Sequence, residues 1–402
     1  MDAHKLKLDF PILQNQPLIY LDTAASSLTP QCVIDTMNEY YTEYPVNVHR
    51  GVYQISYKAT EKYTQARQTI ADFINATFEE TVFTRGASSA LNLIATSYGL
   101  SHVQKDDEII VSELEHHSHI LPWQQVAKKT GAKLIYVPLN KEGRITVENF
   151  KRVLTDRTKV VALTYISNVM GYETPLQEII PLAHQKGAIV SVDAAQAAPH
   201  KTIDVKKLNC DFLAFSGHKM FGPTGIGVLY GKQKLLDSIE PIEYGGDMND
   251  NVELFDAVWK DTPYKFETGT PPIAEAIGLA EAVRYLQKLK PEAILAHEQK
   301  LKELAVKALL KLDGVTVYNP TSETGIINFN LDDVHPHDAV SFFDEDHIAM
   351  RAGHHCAQLI IKWLKVPATL RASFYAYNTE EDVKTFTDAV KKARDFFTSV
   401  GF

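Results

Sequence analysis

Cysteine is scarce in this chain: Cys32, Cys210 and Cys356 are the only three in 402 residues. An odd number at such spacing excludes a disulfide framework and implies reduced thiols. No run of about 20 apolar residues is present, so no membrane partner is expected. Blocks of Lys or Arg are missing too, and the net charge is −9. Phosphate backbones require concentrated positive surface, so no nucleic-acid partner is expected either. The first ten residues lack the apolar stretch and small-residue cleavage site of a secretory leader, which makes the cytoplasm the expected location.

What the sequence does contain is an alternation of helical and strand patterns from about residue 60 to 285, the signature of α/β layering around a mostly parallel sheet. Short branched runs supply strands at 108–112, 133–138, 159–165, 188–193 and 212–215. Leu176 to Lys186 reads as a helix, stopped by Gly187. A helical pattern from Ile273 to Lys290 meets Pro291, and a second runs on to Leu312 before Asp313-Gly314. Strand-like Val315–Tyr318 and Gly325–Asn330 follow, then helices. The length suggests two domains. The expected division is a large α/β domain over 20–288 and a small α+β domain formed by 1–19 with 289–402.

Several segments carry chemistry. In Ala214-Phe-Ser-Gly-His-Lys219 a lysine sits in a glycine-interrupted turn among small and polar residues. Such a lysine is a candidate Schiff-base residue for a carbonyl cofactor such as pyridoxal phosphate (PLP). Asp193 closes a strand, where ligands of open α/β sheets gather; it suits a pyridine nitrogen, or it caps the segment that follows. Residues 84–92 run from a small-residue turn into a helix, so Ser88 and Ser89 either cradle a phosphate or cap the helix. Arg351-Ala-Gly-His-His-Cys356 places a thiol beside two imidazoles and an arginine, a setting that favours thiolate, with a buried structural cysteine as the plain alternative. Cys210 and Cys32 read as small packed residues. Arg371 lies in an apolar stretch and needs a partner, either a substrate carboxylate or a structural carboxylate. His116 and His119, with His335, His337, His354 and His355, would supply a zinc site, but no HExxH or cysteine pairing accompanies them.

These segments together resemble the cysteine desulfurases, PLP enzymes of the aspartate-aminotransferase fold type, and within them the SufS-like group. The similarity runs through Tyr20–Ala25, Asn47–Gly51, Glu115–His117, Ser167–Gly171, Val192–Gln196, Ser216–Lys219, Phe266–Pro271 and Arg351–Cys356. It implies an α/β fold type I PLP-dependent transferase with a large, mostly parallel sheet domain and a smaller α+β C-terminal domain. The resemblance further implies Lys219 as the Schiff-base lysine, Asp193 on the pyridine nitrogen, Gln196 at the phenolic oxygen and His116 stacked on the ring. Ser88, Ser216 and His218 would hold the phosphate. A homodimer with shared sites would bring Thr270 to the partner copy's phosphate and Arg50 towards its site. Asn168 and Arg371 would take the substrate carboxylate, with Arg351 also at the substrate, and Cys356 would be the nucleophile.

The implied reaction converts L-cysteine to L-alanine and leaves a persulfide on Cys356 for a SufU- or SufE-like acceptor serving iron–sulfur cluster assembly. No metal is expected. Selenocysteine lyase and cysteine sulfinate desulfinase of the same fold are the near alternatives, a zinc-dependent hydrolase the distant one. Three positions depart from the family pattern: the phosphate turn reads Gly86-Ala-Ser-Ser89, His119 replaces an asparagine, and Leu359 replaces a proline.

Overall fold

Seven short runs of β-branched and aromatic residues form the central sheet of the computed structural model, which describes residues 1–399. In chain order they are β1 (Thr81–Thr84), β2 (Glu108–Val111), β3 (Lys133–Tyr136), β4 (Thr158–Thr164), β5 (Ile189–Asp193), β6 (Phe212–Ser216) and β7 (Gly227–Gly231). Their spatial order is β1-β7-β6-β5-β4-β2-β3. Only β7 runs against its neighbours; the other pairings are parallel.

Successive residues of a strand point to opposite faces, and here both faces are buried. Ile110, Val161, Leu163, Val190, Val192 and Leu213 pack into one apolar layer. Their neighbours Ile109, Val111, Val160, Ala162 and Phe212 pack into the other. Each such side chain contributes roughly 1.5–3 kcal/mol of burial, so the middle of the sheet is firmly held from both faces.

A second sheet contains β8 (Val315–Val317), β9 (Ile326–Leu331), β10 (Arg351–Gly353) and β11 (Thr369–Ser373), in the antiparallel order β8-β9-β11-β10. Ile327, Phe329, Leu331, Leu370 and Ala372 turn to a core shared with helices Pro291–Leu309 and Glu380–Ser399. The alternate residues Asn328, Arg371 and Arg351 stand side by side in register on the other face. The chain's beginning joins this sheet region: Ile19–Tyr20 pairs with Ile348–Ala349, and Asp22 bridges to Ser373.

The seven strands expected from the sequence are present within a residue or two. β1, β7, the hairpin of Asn249–Val252 with Ala257–Trp259, and β10 and β11, which lie where helices were expected, were not anticipated. Glycines at both ends of β7 make it look like a continuation of the preceding turn. The helix after Pro291 ends at Leu309, short of Leu312. The last three positions of the expected 289–402 segment lie outside the described residues. Among the described residues, no helix is long and apolar enough to cross a membrane.

Candidate active site

The site forms beyond the carboxyl ends of β5 and β6, where adjacent parallel strands release their chains. Asp193 is the last residue of β5 and is in register with Ala214 of β6. Its carboxylate is buried, and Oδ1 accepts the Ala195 N–H at 2.9 Å. Oδ1 thus caps the turn, as the second reading of Asp193 has it; the cofactor reading would fall to the other oxygen. Three residues further on, Gln196 Nε2 donates to Ala24 O at 2.6 Å.

β6 runs directly into the turn Gly217–Lys219, which the antiparallel return of β7 closes. Gly217 N–H donates to Ile226 O at 3.0 Å. A side chain on Gly227 would put its Cβ 2.5 Å from Gly86 Cα, so glycine is required where the two turns meet. The His218 carbonyl accepts from the Ser27 N–H and from the hydroxyls of Ser26 and Ser27. Lys219 is thereby fixed in a half-buried position. Burial pushes its ammonium down to about 8, against the opposing pull of Asp193, while Arg371 pushes the same way as burial. A lysine near that value supplies neutral amine at ordinary pH.

Ser216 Oγ, buried, accepts the Ala87 N–H at 2.8 Å and so fixes the start of helix Ala87–Ile94. Ser88 is exposed there, 2.6 Å from the hydroxyl of Ser118, whereas Ser89 Oγ is turned back onto Gly86 O at 2.9 Å. Of the two serines, Ser88 has the outward hydroxyl. His116 caps helix His117–Thr130, its Nδ1 accepting the Ser118 N–H at 3.1 Å. That acceptor role needs a neutral ring. Burial first, and Lys219 second, press the His116 imidazole down to about 4; burial and Lys219 do the same to His218, also to about 4.

The second sheet supplies the other wall. Arg371 is buried and donates to Asn168 O at 3.0 Å and to Asp22 Oδ1 at 3.1 Å. Arg351 donates through Nε and a terminal nitrogen to Asp22 Oδ2, at 3.1 and 3.0 Å. Asn168 Nδ2 reaches His355 O at 2.7 Å. After β10 the chain turns through His355 and Cys356, at φ 53° and 55°, a region that non-glycine residues seldom occupy outside functional sites. Cys356 is exposed, and its carbonyl accepts the His117 N–H at 2.7 Å. His117 Nε2 in turn accepts the Gln358 N–H at 3.0 Å. Cys356, Arg371 and Arg351 all act electrostatically on Lys219.

The remaining candidates lie apart from this cluster. Thr270 is exposed, on the wall of a cavity of about 510 Å³ that Arg85, Ser89 and Glu267 also line. Arg50 is exposed and paired with Asp247 at 2.6 Å. His119 is fully buried between Glu115, at 2.7 Å, and Ser191 Oγ, at 3.3 Å. Leu359 packs against the core. Among the described residues no group of three or more His, Cys, Asp or Glu is arranged to hold a metal ion, so the histidines provide no ligand set for a zinc hydrolase. Two important residues were missed. Asp22 lies inside a quoted motif, but nothing local reveals partners 329 and 349 positions away. His117 looked like a neighbour of His116 and is the fastening of the Cys356 turn.

The class-V aminotransferase family matches residues 19–386. A probable cysteine desulfurase of Halalkalibacterium halodurans is 50% identical over 405 residues, covering all of both chains. One from Staphylococcus aureus is 49% identical over 404 residues, covering 99% of this chain and 98% of the relative. This chain belongs to the cysteine desulfurases of the class-V aminotransferase family. Solved desulfurases share its fold: CsdA of Escherichia coli superposes with a TM-score of 0.93 at 38% identity, over 98% of this chain and 99% of that one. The apo enzyme of Thermococcus onnurineus gives 0.94 at 40% identity, over 98% of each. Enzymes of this family use PLP, and the desulfurase described here has the groups to hold it. A depressed lysine faces a carboxylate with a free oxygen, and an outward serine stands at a helix start closed by glycines.

Proposed function

We propose that this cysteine desulfurase takes sulfur from L-cysteine as a persulfide on Cys356 and passes it to an acceptor protein. The observation that carries this reading is that segment 22–27 joins the two turns: Ser26 and Ser27 bond the His218 carbonyl beside Lys219, and Asp22 holds Arg351 at the start of the strand that leads to Cys356. In the proposed arrangement Lys219 would be the Schiff-base residue, Asp193 would pair with the pyridine nitrogen, Gln196 would serve the phenolic oxygen, and His116 would stack on the ring. Ser88, Ser216 and His218 would hold the phosphate. PLP, when bound, supplies the electron sink for a carbanion at the substrate's Cα.

The chain's own groups do the rest. Arg371 and Asn168 orient the substrate carboxylate, and Lys219 Nζ accepts the Cα proton. Cys356 Sγ attacks the substrate sulfur; an S–S bond forms, the C–S bond breaks with its electron pair left on carbon, and that carbon takes up a proton to leave as alanine. An acceptor thiolate then attacks the terminal sulfur and releases Cys356. The short turn around Cys356, tied at both ends to His117, favours the SufS-like group, in which a SufU- or SufE-like acceptor comes to the thiol. Iron–sulfur cluster assembly is the destination this implies, and the three free cysteines suit the reducing cytoplasm. A homodimer would bring Thr270 and Arg50 to the neighbouring site.

The test is to incubate the holoenzyme with L-cysteine and a reductant, and to measure alanine and sulfide together for wild type and Cys356→Ala. Equal yields from wild type, both lost in the variant, are expected. Undiminished turnover by Cys356→Ala would refute the persulfide route.

A further inference from the structure

The first turn of helix His117–Thr130 sends three neighbouring residues to three parts of the site. His116, its cap, lies within electrostatic reach of Lys219 and Asp193. His117 fastens the Cys356 turn. Ser118 meets the outward hydroxyl of Ser88 at 2.6 Å. The fourth residue, His119, is turned into the protein, and its side chain and that of Glu115 are both 0% exposed. These two belong to a continuous chain of polar contacts. The Ser112 hydroxyl, just past the end of β2, donates to Glu115 Oε1 at 2.7 Å; His119 Nδ1 meets Glu115 Oε2 at 2.7 Å, and His119 Nε2 meets Ser191 Oγ at 3.3 Å. An imidazole with its proton on Nδ1 satisfies both neighbours, donating to the carboxylate and accepting from the hydroxyl. Asparagine, which His119 replaces in the family pattern, offers the same pair of groups on a shorter stem.

The far end of this chain is the informative one. Alternation along β5 puts Ser191 on the same face as Asp193, the face on which Ile189 shares an apolar layer with Ile120 and Trp123 of the helix. Apolar burial holds helix and sheet together but has no direction. Hydrogen bonds inside such a dry layer are strong and directional, and they fix one element's place on the other. His119 therefore ties the turn 116–118 to the strand that presents Asp193. Its own N–H donates to His116 O at 2.8 Å, so a displacement of His119 is passed on to His116.

Resting on the desulfurase reading, we propose that His119 is a positioning residue: by bridging Glu115 and Ser191 it sets the spacing between His116 and Asp193, the two groups that would meet the cofactor ring, and keeps His117 and Ser118 at the Cys356 turn and at Ser88. Loss of the bridge loosens the cofactor and the thiol together, whereas loss of the His117 ring touches the thiol alone.

His119→Leu fills the space and supplies neither donor nor acceptor, while His119→Gln supplies both without an imidazole. In His119→Leu the Kd of the apoprotein for PLP is expected to rise about tenfold, and the visible circular dichroism of the bound cofactor to weaken. kcat for alanine formation falls by roughly 10- to 100-fold, the range for a misplaced reacting group, with KM for L-cysteine near its wild-type value. Persulfide formation on Cys356, trapped by rapid quench, slows in parallel. His119→Gln stays within about threefold of wild type in each measurement. A folded His119→Leu enzyme that melts lower but keeps the wild-type Kd and dichroism would show a merely structural histidine and overturn the assignment. Equal losses in the two variants overturn it as well, because glutamine keeps the donor and the acceptor. Should His119→Leu not fold, Ser191→Ala, which leaves the Glu115–His119 contact in place, carries the test: weaker PLP binding and dichroism are expected, and unchanged values overturn the assignment. Absence of alanine formation from L-cysteine by the wild type refutes the underlying desulfurase reading, a result distinct from an active enzyme whose cofactor signals do not move.

Discussion

Lys219 and Cys356 are proposed to serve one site, but the regions that present them are built in opposite ways. Lys219 is enclosed: the turn that carries it is closed by β7, its neighbouring carbonyl accepts from three donors, and burial lowers its proton affinity. Cys356 is offered outward on two left-handed residues, with one imidazole and one backbone hydrogen bond holding its place. The contrast matches the chemistry. Moving a proton at Cα needs a dry, immobile base, while delivering sulfur to another protein needs a thiol within reach of solvent.

The largest test of this contrast is to remove each nucleophile in turn. Lys219→Ala should reduce alanine formation by at least about 10³-fold, the upper range for loss of a positioned base. Cys356→Ala should leave the cofactor absorbance in place and alter stability by no more than about 0.5 kcal/mol, as exposed substitutions do; denaturant melts with visible spectra check both. A melt as damaged as that of a core variant would show the Cys356 turn to be structural.

His117→Ala sharpens the comparison at the fastening. Loss of the Gln358 acceptor should slow persulfide formation on Cys356 about tenfold, the effect of one lost hydrogen bond worth about 1.4 kcal/mol. Rapid-quench trapping of the persulfide would measure it, and the Lys219 half should be unaffected. A drop in cofactor binding of equal size would mean the two halves are not separable.

Titration gives the gentlest probe. The apoprotein should acquire its cofactor colour faster as pH rises, with a midpoint near 8; an exposed lysine would show one near 10.4. Acid should act on stability in the opposite part of the scale. His116 and His218 remain neutral in the folded state until about pH 4 and His355 until about pH 2, whereas unfolded histidines protonate near 6.5. Unfolding between those values takes up protons, so stability is present above about 6.5 and is lost as pH falls. Proton uptake on unfolding at pH 5, close to one per histidine, is the quantity to measure. No uptake would place these rings in water.

The large sheet was readable because each central strand is a short branched run buried on both faces, a pattern set by neighbours in the chain. β7 was hidden by its terminal glycines. Lys219 and Asp193 stood out as candidates from the turn and strand end that hold them, and Cys356 from its histidines. Asp22 and the fastening by His117 could not, since their meaning depends on residues hundreds of positions away. The three unusual residues now have local explanations: Ser89 bonds to its own turn, His119 fills a buried polar chain, and Leu359 packs on the core.

The Asp22–Arg351 contact also bears on how the protein is made. Its two halves are separated by 329 residues, which a ribosome adding 5–20 residues per second takes roughly 16–66 s to span. In the later part of that interval, once residue 219 has been added, the nascent chain carries the Lys219 turn without the arginines that complete its pocket. The young protein is therefore an incomplete enzyme until nearly all of its sequence has emerged, and the competence to touch cysteine arrives late in synthesis.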